Sequence, residues 1–307
     1  MPTVSTMSSC LGRLDGFPGR GERCHCNRRH HDPRAPPASR AHPPLRPTMY
    51  ANSRQIQTAQ TGIHDDLARR VERALAGRWQ RPIAGHNREA FHRVLTFCRC
   101  HGGEVIFDTG CGTGLSTRRL AERFPAACVI GIDRSAERLS RREGGALPDN
   151  ALMVRADLVD FWRLALAHAL RPVRQYLFYP NPWPKASQLK RRWHAHPVFP
   201  TLLALGGRLE LRSNWRLYVE EFAQALWQAV GLYAAPVPVR PVREGDFISA
   251  FERKYHHSGH PLWGLSCRLE GAQWVRLAAR FEADAAELLR GPALPRSDGV
   301  AGAAAGD

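Results

Sequence analysis

A short apolar run that breaks into three alternate glycines constrains this chain more than any other stretch. Glu104 to Gly114 reads Glu-Val-Ile-Phe-Asp-Thr-Gly-Cys-Gly-Thr-Gly. Val105, Ile106 and Phe107 are β-formers in the pattern of a buried strand. Gly110, Gly112 and Gly114 then let the backbone turn tightly and approach a ligand with no Cβ in the way. Leu115 to Phe124 follows with helical spacing, so the loop opens a helix whose N-terminus can face the ligand. A dinucleotide fingerprint wants glycine where this chain has Leu115. Asp108, just before the loop, would repel a pyrophosphate and attract a cationic amino acid-nucleoside. That is the pattern of S-adenosylmethionine (SAM) binding.

Beyond the loop, strand and helix alternate, which predicts a doubly wound, mostly parallel α/β sheet. Ala127 to Asp133 is the second strand, and Asp133 at its end suits a bidentate hold on ribose hydroxyls or an N-cap for Ser135 to Arg142. Ala151 to Ala156 is the third. Asp157 follows it, placed to accept from an adenine amino group or to cap a helix from Leu158 to Leu170. Val173 to Tyr179 is the fourth. Ligands of such sheets sit beyond the carboxyl ends of the strands, where Asp108, Asp133, Asp157 and Pro180 all fall. Upstream, Ile63, Leu67, Val71 and Leu75 recur at helical spacing, with Asp65 as a cap and Gly77 past the end. A second helix carries Phe91, Val94, Leu95 and Cys98 on one face. The two form an N-terminal helical extension beside the sheet.

The partner is suggested by charge. The 307 residues carry a formal net charge of +16, which calls for an anionic partner, nucleic acid first. Residues 1–48 hold eight arginines against Asp15, Glu22 and Asp32, so +11 remains outside them. Residues 1–48 read as a disordered basic tail, 49–290 as the SAM-dependent domain, and 291–307 as a second disordered tail. Eight scattered cysteines suit reduced thiols and a cytoplasmic protein, not a disulfide framework. Cys24, His25, Cys26, His30 and His31 match no zinc spacing, so no metal is expected. No apolar run is long enough to cross a membrane, and the N-terminus lacks a signal core.

After the fourth strand the chain reads Pro180-Asn181-Pro182-Trp183-Pro184-Lys185, then Lys190-Arg191-Arg192-Trp193. Three prolines hold the loop extended, presenting Asn181 and Trp183. Lys185, Lys190, Arg191 and Arg192 interleaved with Trp183 and Trp193 suit RNA: charge for phosphates, rings for an unstacked base.

The span from about Gly62 to Leu269 resembles the bacterial tRNA (guanine-N7)-methyltransferases. The resemblance rests on Phe107 to Gly114, Gly131-Ile132-Asp133, Ala156-Asp157, Leu177 to Lys185 with Lys190-Arg191-Arg192, Asn214-Trp215, Phe251-Glu252, Gly259-His260 and Trp263. It implies a seven-stranded class I methyltransferase (Rossmann-like) sheet, with Gly207 to Arg212 and Gly264 to Arg268 as later strands. It also implies that Asp108, Asp133 and Asp157 hold SAM, while Lys185 and Glu252 face the tRNA. Asn181 stands at the catalytic position and Asn214 at a substrate position, both aspartate in the family; Ala250 replaces a lysine. The expected activity is methyl transfer to guanine N7 of tRNA. Transfer to an exocyclic amine of another base or a small molecule, and a non-catalytic SAM-binding RNA protein, are the alternatives. Monomer and homodimer are both compatible with the sequence.

Overall fold

The computed structural model describes residues 52–289 apart from 142, 144, 232–234, 244 and 246. The expected tails 1–48 and 291–307 lie outside the described residues.

Two helices precede the sheet: α1 (Leu67–Ala76) and α2 (Gly85–His101). Alternation then begins with β1 (Val105–Thr109), α3 (Leu115–Arg123), β2 (Cys128–Asp133), α4 (Ala136–Ser140), β3 (Ala151–Arg155), α5 (Leu158–Ala167) and β4 (Pro172–Phe178). It continues through α6 (Phe199–Ala204), β5 (Gly207–Ser213), α7 (Arg216–Val230), β6 (Arg240–Pro241), α8 (Ala250–His257), β7 (Trp263–Leu269) and α9 (Ala272–Ala286). The sheet has seven strands in the order β3-β2-β1-β4-β5-β7-β6. β1 to β5 run parallel; β7 is antiparallel to β5 and to β6. This is the doubly wound class I methyltransferase arrangement expected from the sequence. The order reverses at β1, which places the ligand crevice beyond the carboxyl ends of β1 and its neighbours.

β1 lies inside the sheet between β2 and β4, and all five of its residues are buried, Asp108 included. On one face Phe107 packs edge-on against Phe161 of α5, which also meets Phe91 of α2. α3 comes so close to β2 that a Cβ added at Gly131 would lie 2.3 Å from Thr117 Oγ1. Glycine there is a packing requirement between helix and strand.

Some boundaries differ from expectation for local reasons. α1 starts at Leu67, and Ile63, expected on its apolar stripe, precedes it and is 45% exposed. Neither Asp65 nor Asp66 caps α1 with a side-chain hydrogen bond to its first turn; Asp66 occupies the cap position with helical backbone and pairs with Arg69 instead. α5 ends at Ala167, short of Leu170, where Ala169 turns into a positive φ of 52°.

Gly131→Ala forces Thr117 or the whole of α3 outward and disturbs the hydroxyl that Thr117 gives to Asp108. A loss of roughly 1–3 kcal/mol is expected from overpacking. Differential scanning calorimetry should show a melting temperature lower by several degrees, and an unchanged one would mean that α3 is free to move.

Candidate functional site

The glycine loop folds back on the end of β2. Gly110 N and Cys111 N both donate to Ile132 O, at 2.7 and 3.0 Å. Gly110, Gly112 and Gly114 take φ of 85°, 61° and 86°, the left-handed region that favours glycine. A Cβ added at Gly110 would meet nothing within 4 Å, so the turn faces open space.

Two acids support this turn. Asp108 is 1% exposed, and its Oδ2 accepts from Ser116 Oγ at 2.6 Å and Thr117 Oγ1 at 2.7 Å, both in the first turn of α3. Burial pushes its carboxyl up to about 6 even though both hydroxyls favour the charged form; the nearby Asp133 charge adds to the rise. Asp133 Oδ2 accepts from Gly112 N at 3.0 Å and Oδ1 from Ser135 N at 2.8 Å. Each of its oxygens therefore already bonds the backbone and keeps a second lone pair. Helix α4 is capped by Ser135, whose hydroxyl accepts from Arg138 N. Asp157 caps α5, accepting from Val159 N at 2.9 Å, so the capping reading of this acid is realised. Its own N–H donates to Asn87 Oδ1, and Asn87 Nδ2 donates to Asp160 at 2.6 Å. Asn87 was missed in the sequence; a buried amide among the apolar positions of α2 is the signal that would have found it.

Beyond β4 the chain makes two unusual turns. Tyr179 and Trp183 have φ of 50° and 47°, strained values for aromatic residues, each costing on the order of 1–3 kcal/mol. Asn181 between them is exposed, with Oδ1 3.5 Å from the Trp183 amide. The strain is held from behind. Arg192 donates to Trp183 O through Nε at 3.2 Å and Nη2 at 3.1 Å. The same guanidinium reaches Glu221 Oε2 at 2.5 Å and Gln60 Oε1 at 3.0 Å, and lies 4.7 Å over the Trp215 ring.

Arg192 corrects the sequence reading. Expected to meet RNA phosphate, it is fully buried, because the short 3-10 turn Ala186–Arg191 ends there and turns it inward. Lys185, Lys190 and Arg191 remain exposed, and Arg191 lies 4.7 Å over the Trp183 ring. The partner, Glu221, was also missed. It sits on α7 one turn after Tyr218 and one turn before Ala225, an acid inside an apolar stripe that requires a buried cation.

Every lone-pair site of Glu221 is filled. Oε1 accepts from Gln60 Nε2 (2.6 Å) and His64 N (3.0 Å), and Oε2 from Arg192 and His194 Nε2 (3.0 Å). Burial raises the Glu221 carboxyl, but the His194 hydrogen bond and the Arg192 charge outweigh it and hold it at about 2. Burial lowers His194, which is therefore neutral and gives its Nε2 proton to Glu221.

The other substrate candidates lie after β5. Glu252 on α8 is 2% exposed and accepts from Arg212 Nη1 at 2.8 Å. Its Oε2 and the Tyr179 hydroxyl are buried with no hydrogen-bond partner in the protein. Burial pushes both groups up, and each is sensitive to Arg212. Glu252, which the resemblance turns towards the tRNA, is thus almost wholly buried among these partners. Asn214 is half-buried, 3.0 Å from His260 Nδ1, while His260 Nε2 gives its proton to Ser53 O at 3.0 Å. Nδ1 must then accept from the Asn214 amide. Next to Glu252, the Phe251 ring lies over the glycine loop, 3.5 Å from a Cβ built at Gly112. Consecutive residues of α8 thus touch the two halves of the site.

Residues 103–265 match the model of a family described as "Putative methyltransferase". The chain is 30% identical over 168 residues to the tRNA (guanine-N(7)-)-methyltransferase of Ectopseudomonas mendocina (strain ymp), covering 52% of this chain and 70% of that protein. It is 30% identical over 170 residues to the protein of the same name from Xylella fastidiosa (strain M12), covering 52% and 68%. A third similar protein of that name, from Leifsonia xyli subsp. xyli (strain CTCB07), is 30% identical over 171 residues, covering 52% and 74%.

Glu221→Gln keeps the shape of the pair but strands the Arg192 charge, which should cost about 3–5 kcal/mol. The folded carboxyl is depressed to about 2 from 4.5, so its stabilisation is full above 4.5 and lost as pH falls towards 2. The stability gap between wild type and variant in urea titrations should therefore shrink below pH 4.5. A gap independent of pH would remove the pair from this role.

Proposed function

The chain belongs to the tRNA (guanine-N7)-methyltransferase family, and on that premise we propose that it moves a methyl group from SAM to guanine N7 of a tRNA. The observation that carries this reading is the meeting of two loops on one sheet edge. A glycine turn backed by buried Asp108 opens beyond β1, and a strained loop presenting Asn181 opens beyond β4, the next strand.

The residues present suit SAM. The open space in front of Gly110 admits a ligand, and a carboxyl raised to about 6 by burial favours a cationic one. When bound, SAM supplies a methyl group on a sulfonium. Gly110, Gly112 and Gly114 let the backbone close on it, Asp108 meets its positive end, and the spare lone pairs of Asp133 accept from ribose hydroxyls. Asp157, committed to its cap, acts at the adenine end through its second oxygen.

Guanine N7 is neutral and loses no proton, so the protein has no base catalysis to perform and supplies alignment, worth up to about 7–11 kcal/mol in well-oriented systems. Asn181 orients the ring through its amide oxygen. Glu252 Oε2, buried without a partner, is the acceptor that guanine ring N–H and amino donors would satisfy, and Asn214 steadies the same edge. Lys185, Lys190 and Arg191 meet phosphates, with Trp183 held beneath Arg191 as a flat surface for a base. The proposed compartment is the cytoplasm; among the described residues no helix is long and apolar enough to cross a membrane. The neutral amide at Asn181 keeps one second reading in play, methylation of an exocyclic amine.

The deciding experiment incubates the protein with SAM and tRNA lacking the modification, then scores N7-methylguanosine by nucleoside mass spectrometry; its absence overturns the leading reading. Asn181→Asp adds a charged acceptor of the same shape, and charge-assisted bonds are about twice as strong as neutral ones, so roughly fivefold in kcat/KM is expected. An amine methyltransferase should lose turnover instead.

Two binding measurements accompany it. Replacing Lys185, Lys190 and Arg191 together should flatten the salt dependence of tRNA affinity by about two to three, at roughly 0.7–0.9 per contact. SAM affinity should rise with pH up to about 6 and then level, as Asp108 ionises. Calorimetry showing no pH dependence between 5 and 7 would place the cation elsewhere.

A further inference from the structure

The segment ahead of α1 packs against the acceptor loop and α7. Residues 57–65 and 184–186 line a cleft of about 500 Å³, within the roughly 300–1,000 Å³ of small-ligand sites. One wall continues the acceptor loop, because Pro184 and Lys185 follow Asn181 by three and four residues. The other wall is pinned to that loop. Thr58 Oγ1 donates to Pro184 O at 2.7 Å, and Gln60 bonds both members of the Arg192–Glu221 pair. The cleft is therefore formed before anything enters it, and its position is tied to the Trp183 carbonyl through Arg192.

Its chemistry suits one nucleotide. Lys185 offers a cation for a phosphate. Ile63, 45% exposed outside its helix, and Pro184 offer apolar surface for a base face. Gln57 and Thr61, both exposed, offer neutral donors and acceptors for base edges and a ribose hydroxyl. Asp65 is the one acid in the lining and suits base N–H groups, not phosphate.

We propose that this cleft is an RNA subsite that takes the nucleotide adjacent to the methylated guanosine, and that Gln57, Thr61 and Ile63 bind it. The proposal rests on the tRNA reading above. A neighbouring nucleotide seated here would fix the strand on both sides of Trp183, so that the target base swings towards Asn181 with its backbone already anchored. Residues ahead of the sheet would then help choose which guanosine is modified.

The test uses the full chain carrying p-benzoylphenylalanine at position 63, irradiated with unmodified tRNA, and the cross-linked nucleotide mapped by primer extension. The expected cross-link lies within two positions of the guanosine that wild type modifies; the same probe at Val275, 56% exposed on α9, should give none there. Combined Gln57→Ala and Thr61→Ala should raise KM for tRNA about fivefold, the loss of one or two hydrogen bonds, with SAM affinity unchanged. A cross-link confined to distant nucleotides, or an unchanged KM, overturns the subsite while leaving the methyltransferase reading intact. Wild type that makes no N7-methylguanosine overturns both.

Discussion

The buried pair between Arg192 and Glu221 is the interaction on which the acceptor side of this molecule depends. Two charges removed from water face a desolvation cost of several kcal/mol per ion, which only full hydrogen bonding offsets. That condition is met from three further directions: the N-terminal segment through Gln60 and His64, the short 3-10 turn Trp193–Ala195 through His194, and the loop through the Trp183 carbonyl. A hydrophobic pair of equal volume could fill the space. It could not hold a carbonyl whose residue stands at φ 47°. The pair fixes a strained geometry as well as occupying a volume.

The nucleotide side works by the opposite device. Asp108 is buried with no cation paired to it among the described residues, and two hydroxyls only partly offset its desolvation. A carboxyl held near 6, against an ordinary 3.8, costs the ionised fold about 3 kcal/mol at neutral pH. The sign follows from linkage: the unfolded chain gives up this proton first, so the cost grows as pH rises from 3.8 and is full above about 6. A cationic ligand relieves that cost on binding, so part of its affinity is stored in the empty site.

How far the sequence revealed this depended on the range of the forces involved. The glycine loop was legible because its requirements are local: three positive φ angles, a strand before and a helix after. The mostly parallel, doubly wound sheet followed from alternation of strand and helix patterns, and Asp157 as a helix cap from a position two residues ahead of the amide it binds. Arg192 was misread because Lys190, Arg191 and Arg192 are chemically alike in sequence. Only Glu221, 29 residues away on another helix, separates the inward one from its neighbours. Ile63 was misread for a related reason: helical spacing cannot tell whether the helix has begun. The burial of Glu252 beside Arg212, which β5 brings to it, was not legible in the sequence either.

What the sequence left hidden about Arg192 and Glu252 has one physical origin that bears on the site as a whole. Arg192 and Glu252 are residues whose partners come from distant elements, and the acceptor side is assembled from such pairs. The glycine turn draws on β1, β2 and α3, which are contiguous in the chain and rigidly stacked. The acceptor loop draws on a segment more than a hundred residues upstream and a helix downstream, joined by polar contacts. Polar assembly tolerates change at its rim more readily than the packed turn does, because an exposed group such as Asn181 rests on few neighbours. A chain built this way can keep its nucleotide side constant while altering the residues that meet the acceptor. The amide at Asn181, set in a backbone held by Arg192, is a change of that kind.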